Sequence, residues 1–377
     1  MQAREGEMAD HMHTVPEEAL KELPPAHKAL GKLGRALLAR FPVWPIVDFL
    51  RNKKVPEHRH AAWYMMGGLA LFFFAIQVFT GILLMVYYRP AEPWQSVQRI
   101  VMEVPYGNLM RSIHHWSANL MILTLFLHMF SAYFMKAYRA PREGTWLVGL
   151  ALLGLCMAFG FSGYLLPWDD LSFFATNVGL TEMEKAPGLG PWLASLLRGG
   201  PAVTTDTIGR FYVLHVVVLP LAVLGLIGMH LLFVQIQGMS EPDSFAALPA
   251  CQKKHKKFFF DYFASEIPVW LAAFALLVAL SAIWPRALEA EADPFGAAPL
   301  GIKPEWYFLA QYQALKLFPG KLEYAGMALM GIVPLLCALV PFFDRAVPSD
   351  RRGTWIERAG VALLVGFVVL TVWGWIS

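Results

Sequence analysis

The 377-residue sequence is 57% hydrophobic and 16% charged, with a formal net charge of +3. That balance excludes an ordinary soluble domain and points to an all-α integral membrane protein. Its three cysteines, Cys156, Cys251 and Cys337, form neither CxxC nor CxxCH, which excludes a covalent c-type haem site, a zinc knuckle and a disulfide framework.

Residues 1–59 are polar, and the opening MQAREGEMADHMH lacks an apolar core, so no cleavable signal peptide is expected. KALGKLGRALLARF (28–41) is basic and amphipathic, a pattern that predicts a segment lying on the cytoplasmic membrane surface. A helix needs about 20 apolar residues to cross the hydrocarbon core. Seven runs free of Asp, Glu, Lys and Arg meet that need: 60–88, 112–135, 144–168, 211–240, 267–285, 324–343 and 359–377. Between the fourth and fifth lies a charged joint rich in helix breakers, SEPDSFAALPACQKKHKKFFFDYFASEIP. The predicted organisation is therefore an N-terminal segment (1–59), a four-helix bundle (60–240), a cytoplasmic connection (241–266) and a three-helix C-terminal part (267–377).

The N-terminal segment and the loops after the second, fourth and sixth runs hold 21 of the 31 Lys and Arg. By the positive-inside rule these are cytoplasmic, which places the N-terminus inside and the C-terminus outside. Basic loops beside membrane spans are ordinary topology signals, so no nucleic-acid partner is expected. The outside loops, one spanning 165–211 and the other containing 293–321, are long and carry aromatics and scattered charge, as loops that build sites often do.

The second run carries His114 and His128, 14 residues apart, and the fourth carries His215 and His230, 15 apart. At 1.5 Å per residue these steps are about 21 and 22 Å, and both return to roughly one helix face. The two runs point the same way, so the histidines pair by level: His114 with His215, His128 with His230. Facing imidazoles in a dry helical bundle suit six-coordinate haem iron. A lone intramembrane histidine is most often a packing residue; four in two matched pairs fit that description poorly. His115 falls outside the pairing. Gly67 and Gly81 in the first run, and Gly149 and Gly163 in the third, repeat the 14-residue spacing, and glycine lets a backbone approach a flat group closely. Arg111 and Arg210 stand just outside the outer histidines, where they could meet haem propionates or simply reach the interface.

RSIHHWSANL…H, FGFSGYLLPWD, RFYVLHVVVLPL…MH and KPEWYF together make residues 55–377 resemble the cytochrome b of cytochrome bc and b6f complexes. The 15-residue step and the joint resemble the b6f branch, here with a four-span cytochrome and a three-span subunit joined in one chain. The resemblance implies two b haems; the lack of CxxCH, with Met65 at the chloroplast-type cysteine position, leads to the expectation of no covalent haem in this chain. His114 and His215 would hold the outer, low-potential haem iron; His128 and His230 would hold the inner, high-potential one. Quinol would be oxidised at an outer site formed by Trp168, Asp169, Pro304, Glu305, Trp306 and Tyr307. One electron would go to a Rieske iron–sulfur protein and a c-type cytochrome, the other to quinone at an inner site. Glu305 would be the proton acceptor, with Tyr307 lining the pocket. An acidic residue in a helix first turn begun by Pro304 would explain Pro-Glu alone, but not Trp306-Tyr307 with it. The resemblance also implies a homodimer in a bacterial inner membrane, in contact with lipid.

Three positions depart from the family pattern. Met65 stands where the chloroplast-type proteins carry a haem-attaching cysteine, Ser131 where a basic residue is usual, and Gln235 where the b6f branch has arginine. The inner site would then use Asp48, Lys53 or Lys54. Two other functions compete: a dihaem module that feeds a periplasmic multihaem cytochrome without a Rieske partner, and a transporter using the histidines as proton relays, without haem.

Overall fold

A computed structural model of the chain describes residues 52–344 and 352–377. In chain order the helices are α1 (Met65–Tyr87, entered through a 3-10 turn at Ala61–Tyr64), α2 (Pro93–Met102), α3 (Gly107–Phe134) and α4 (Glu143–Tyr164). They continue with α5 (Asp170–Lys185), α6 (Gly190–Arg198), α7 (Thr205–Val213), α8 (Leu219–Gln237) and α9 (Asp243–Ala246). The last four are α10 (Phe263–Ile283), α11 (Trp306–Lys316), α12 (Glu323–Phe343) and α13 (Arg352–Ile376). Seven are long and apolar enough to cross a membrane: Ala61–Tyr87, Gly107–Phe134, Glu143–Tyr164, Thr205–Gln237, Phe263–Ile283, Glu323–Phe343 and Gly353–Ile376. They correspond one for one to the predicted runs. The amphipathic stretch 28–41 and Asp48 lie outside the described residues.

Two boundaries differ from the sequence pattern for local reasons. The third run overshoots its helix: α4 stops at Tyr164, and the chain turns through Trp168 at φ +53°. Pro167 cannot continue the i→i−4 ladder. The fourth span starts early, at Thr205, because Thr204 and Thr207 form a reciprocal capping box, satisfying amides that a helix start leaves open.

The fourth span also contains a π-helical turn at Leu214–Val218, where the Leu219 amide bonds to the Leu214 carbonyl. Pro220 follows directly; it has no amide to give the Val216 carbonyl, and its ring crowds that carbonyl. A π turn takes in one extra residue. This accounts for the 15-residue step from His215 to His230 against 14 on α3: the extra residue is absorbed and both imidazoles stay on one face.

The chain divides into two compact units. In the first, β1 (Lys54–Pro56) pairs with β2 (His255–Lys257). The Phe258 amide donates to the Lys53 carbonyl at 2.8 Å, and the Lys53 ammonium sits 4.4 Å from the Phe258 ring centre. The second unit, Pro56–Lys254 with Glu266–Ser377, holds the membrane bundle. Its central core is Phe73 and Phe74 of α1, Met121 of α3, Val148, Leu152 and Cys156 of α4, Val223 of α8 and Leu277 of α10. This apolar layer lies between the two histidine levels. Outward-facing side chains such as Val86 and Leu221 stay exposed in the isolated chain, as lipid-facing residues do.

At the end of the bundle nearer His114 and His215 the loops interlock. Leu165, Trp168, Phe173, Leu180, Val203, Ile208, Phe211 and Ala292 form a second core. The Ala292 amide bonds to the Trp168 carbonyl at 3.1 Å, and the Asp170 amide to the Ala290 carbonyl at 3.0 Å. On the opposite side, Arg139 donates to both carboxylate oxygens of Asp344, at 2.9 and 3.1 Å, and the Tyr138 hydroxyl donates to Asp344 at 2.6 Å. These bonds hold the Asp344 carboxyl below its usual range, although burial opposes them.

Candidate functional site

The ring centres of His114 and His215 are 6.4 Å apart, and those of His128 and His230 are 6.5 Å apart. A metal–imidazole bond of about 2.0–2.1 Å to each ring, plus about 1.2 Å from each nitrogen to its ring centre, would space two axial ligands by about 6.5 Å. Both pairs therefore have the separation of two imidazoles sharing one metal ion.

Each histidine is backed by one of the four spaced glycines. A Cβ built on Gly163 would lie 2.6 Å from Cε1 of His215, and one on Gly67 3.1 Å from Cε1 of His128. For Gly149 and His230 the distance is 3.3 Å, and for Gly81 and His114 it is 3.4 Å. The sequence suggested that these glycines leave room for a porphyrin; here the space they leave is taken by the imidazoles. α1 thus supports the α3 histidines at both levels, and α4 supports those of the fourth span. His115 points elsewhere, edge-on to Trp116 at 5.7 Å between ring centres, with Asn119 near its Nε2.

Hydroxyls stand beside Nδ1 of His114 and His215. Thr80 Oγ1 donates to the Ile76 carbonyl at 2.7 Å and lies 2.9 Å from His114 Nδ1. Ser162 Oγ donates to the Phe159 carbonyl at 3.2 Å and lies 3.1 Å from His215 Nδ1. With its proton given to a carbonyl of its own helix, each hydroxyl is free to accept from Nδ1–H, which would leave the Nε2 lone pair for a metal. The residues present fit a bis-histidine haem at each level.

The two flanking arginines are engaged by main chain. Arg111, buried, donates to the Arg286 carbonyl at 2.6 Å and the Ala287 carbonyl at 3.2 Å. Arg210 donates to the Leu196 carbonyl at 2.6 Å. Both retain further N–H donors.

The outer carboxylate group comes from the loop before α11. Glu305 is the N-cap residue of α11, yet its side chain makes no capping bond. The helix starts at Trp306, so a first-turn acid is not what Glu305 supplies. Burial pushes its carboxyl above the usual range, and the Arg286 guanidinium partly offsets this. Tyr307 is buried, with its hydroxyl 2.6 Å from where a Cβ on Gly160 would stand. Burial, with Glu305 next, raises its phenol. Trp306 Nε1 donates to Asn119 Oδ1 of α3 at 2.8 Å. Pro304 sits in the extended approach to the helix. Trp168 and Asp169 are committed to the outer core: Trp168 packs edge-on to Phe173, and Asp169 caps α5 by accepting from the Ser172 amide at 3.0 Å.

Sequence spacing singled out none of several neighbours, although Asn119, Gly160 and Tyr164 lie within the family motifs. Asn119, Gly160, Tyr164 and Arg286 converge on the Glu305–Tyr307 region. On α10, Glu266 is 5% exposed, with its carboxylate 2.6 Å from where a Cβ on Gly68 would stand. Gly68 adjoins Gly67, which backs His128. At the inner departures, the Ser131 hydroxyl bonds to the His128 carbonyl at 2.8 Å, and Lys53 and Lys54 belong to the first unit.

The sequence matches the family described as Cytochrome b/b6/petB over residues 50–238 and the one described as Cytochrome b(C-terminal)/b6/petD over 291–377. It is 45% identical to the cytochrome bc complex cytochrome b subunit of Chlorobaculum thiosulfatiphilum over 334 residues, 87% of this chain and 77% of that one. The chain belongs to the cytochrome b family. It is 40% identical over 222 residues to the menaquinol:cytochrome c reductase cytochrome b subunit of Geobacillus thermodenitrificans, spanning 56% of this chain and 99% of that protein. A solved structure described as a hyperthermophilic respiratory Complex III superposes with a TM-score of 0.75 at 29% identity, covering 90% of each chain. As a cytochrome b, the protein is a multi-pass membrane protein of electron transport, an oxidoreductase subunit whose family binds haem and quinone.

Proposed function

We propose that this cytochrome b is the quinol-oxidising subunit of a bc-type quinol:cytochrome c reductase, holding two b haems and working with a Rieske protein. The carrying observation is the pair of bis-histidine sites at metal-bridging separation, each imidazole seated on its own glycine. His114 and His215 hold the outer haem, and His128 and His230 the inner one. When bound, the two haems supply one-electron chemistry at two depths, so that electrons leaving an outer quinol site can reach quinone on the inner side.

At the outer site, oxidation of a quinol releases its hydroxyl protons together with two electrons, one bound for the Rieske protein and then a c-type cytochrome. Glu305 takes up a quinol proton. Its carboxylate is free of capping duty, and burial raises its affinity for a proton toward the working range of a general base. The Arg286 guanidinium partly offsets that rise and favours the carboxylate form. Tyr307, braced against Gly160, and Trp306, tied to Asn119, fix the helix that carries Glu305 and exclude water from it. Trp168 and Asp169 hold the facing wall. Arg111 and Arg210 would hold outer propionates with their remaining donors. At the inner level the buried Glu266 carboxyl, in its protonated form, would give a proton to a reduced quinone, since an ionisable group inside a span is expensive without a role. With basic loops inside, the N-terminus is cytoplasmic, and protons taken up inside are released outside. The complex is a homodimer in a bacterial inner membrane.

Purification from membranes in mild detergent, followed by subunit identification and haem extraction, tests this. The expected result is two extractable b haems per chain and a co-purifying Rieske protein. A co-purifying multihaem cytochrome without a Rieske protein would replace the acceptor, and absence of haem would leave the histidines as proton relays.

A further inference from the structure

The two histidine levels are built on the same 14-residue repeat but differ in one kind of atom. At the outer level, Nδ1 of His114 and of His215 each lies within hydrogen-bond distance of a hydroxyl, from Thr80 and Ser162. At the inner level, among the described residues, Nδ1 of His128 and of His230 has no hydroxyl within hydrogen-bond distance. The sequence carries the same difference. Thr80-Gly81 on α1 is matched 14 residues earlier by Met66-Gly67, and Ser162-Gly163 on α4 by Val148-Gly149. Main-chain acceptors do not separate the levels on α4: the Phe159 carbonyl lies beside His215, and the Thr145 carbonyl, 14 residues earlier, beside His230. The hydroxyls do.

A metal-bound imidazole that donates its other N–H becomes a more basic ligand. A more basic axial ligand favours the higher oxidation state and lowers the reduction potential, one of the means by which a protein tunes haem. Burial matters too: in a dry bundle no water competes for the Nδ1 proton, so a fixed hydroxyl keeps its full effect.

We infer that the Thr80 and Ser162 hydroxyls hold the outer haem at a lower potential than the inner one by accepting from its axial histidines. This gives two residues outside the ligand set a role in setting the direction of electron flow, and it rests on the assignment of the histidine pairs to haem. The outer ligands push electrons inward, because the inner ligands lack the same acceptors.

The test is potentiometric titration of the b-haem absorbance in the assembled complex, for wild type, T80V, T80S, S162A and V148S. Threonine to valine keeps the shape and removes only the hydroxyl. In T80V and S162A the lower-potential component should move upward, by about three- to tenfold in the reduced-to-oxidised ratio at fixed potential. Tenfold corresponds to about 59 mV for a one-electron couple. The higher-potential component should stay in place, and T80S should restore the wild-type value. V148S adds a hydroxyl where Ser162 stands at the other level and should move the higher-potential component downward. It carries the test even if T80V loses its outer haem. Unmoved components in T80V and S162A, equal shifts of both components, or an unmoved inner component in V148S would overturn the inference. A wild-type complex showing no b haem, or only one component, would overturn the haem assignment itself, an outcome distinct from these.

Discussion

Gly163 faces His215 so closely that a single added methyl group would stand 2.6 Å from the imidazole Cε1. The same relationship recurs at Gly67, Gly149 and Gly81 with widening gaps of 3.1, 3.3 and 3.4 Å. A gap of 3.4 Å is ordinary contact; one of 2.6 Å forces the ring to move.

This grading predicts the outcome of Gly→Ala substitution. Gly163→Ala should displace His215 and lose the outer b component, while Gly81→Ala should keep both haems. Gly67→Ala and Gly149→Ala should retain the inner component with reduced occupancy. Haem quantification against protein in each purified variant reads this directly. Equal haem content in Gly163→Ala and wild type would remove the glycine from any supporting role.

The two levels are separate sites, about 21 Å apart by helical rise, so His128→Leu should remove the inner haem and leave the outer one. Redox titration with haem counting would show one remaining component. Retention of the higher-potential component with loss of the lower would mean that inside and outside are reversed.

Glu305→Gln should slow quinol oxidation with both haem spectra unchanged. A positioned base contributes about 10²–10⁴-fold, and Asp169 or water offers a bypass, so a loss near or below the low end is expected. The sign of the pH dependence follows from burial. Because the Glu305 carboxyl is raised above its ordinary value, the wild-type rate should fall as acid protonates it, and the Gln variant should lose that acid limb. Steady-state cytochrome c reduction by a quinol analogue across pH 6–9 checks both. Wild-type rates in the variant throughout would leave Glu305 outside the proton path.

Asp344 is buried among Arg139 and Tyr138 at the end of the bundle nearer His128 and His230. Its carboxyl is depressed, so the stability it contributes is present above its unfolded value and is lost as pH falls through the still lower folded value. Arg139→Ala should destabilise the complex by about 3 kcal/mol, the low end for breaking a buried pair, because the Tyr138 hydroxyl still serves Asp344. Thermal unfolding in detergent at neutral pH measures it; an unchanged midpoint would make the cluster a bystander.

Much of this protein is legible in its sequence, because the bilayer is a simple solvent. Every backbone polar group must be satisfied inside the span, so long apolar runs can only be helices, and seven runs became seven spans. The pairing of His114 with His215 and of His128 with His230 was legible for a related reason: a fixed rise and rotation per residue make a 14-residue step a statement about both height and face. The family motifs at 159–169 and 303–308 drew attention to the segments that carry Gly160, Tyr164, Glu305 and Tyr307. Tertiary structure decided the rest. Pro220 turned a 15-residue step back onto one face through a π turn, which no periodicity count contains. Helix–helix contact assigned each glycine to an imidazole across the bundle, and brought Asn119, Gly160 and Arg286 to Glu305 from separate spans and loops. The Thr80 and Ser162 hydroxyls had no reading of their own until α1 and α4 placed them against histidines on other helices. Sequence spacing fixes relations along one helix, whereas relations between helices depend on which faces pack, and that is settled only when the whole bundle closes.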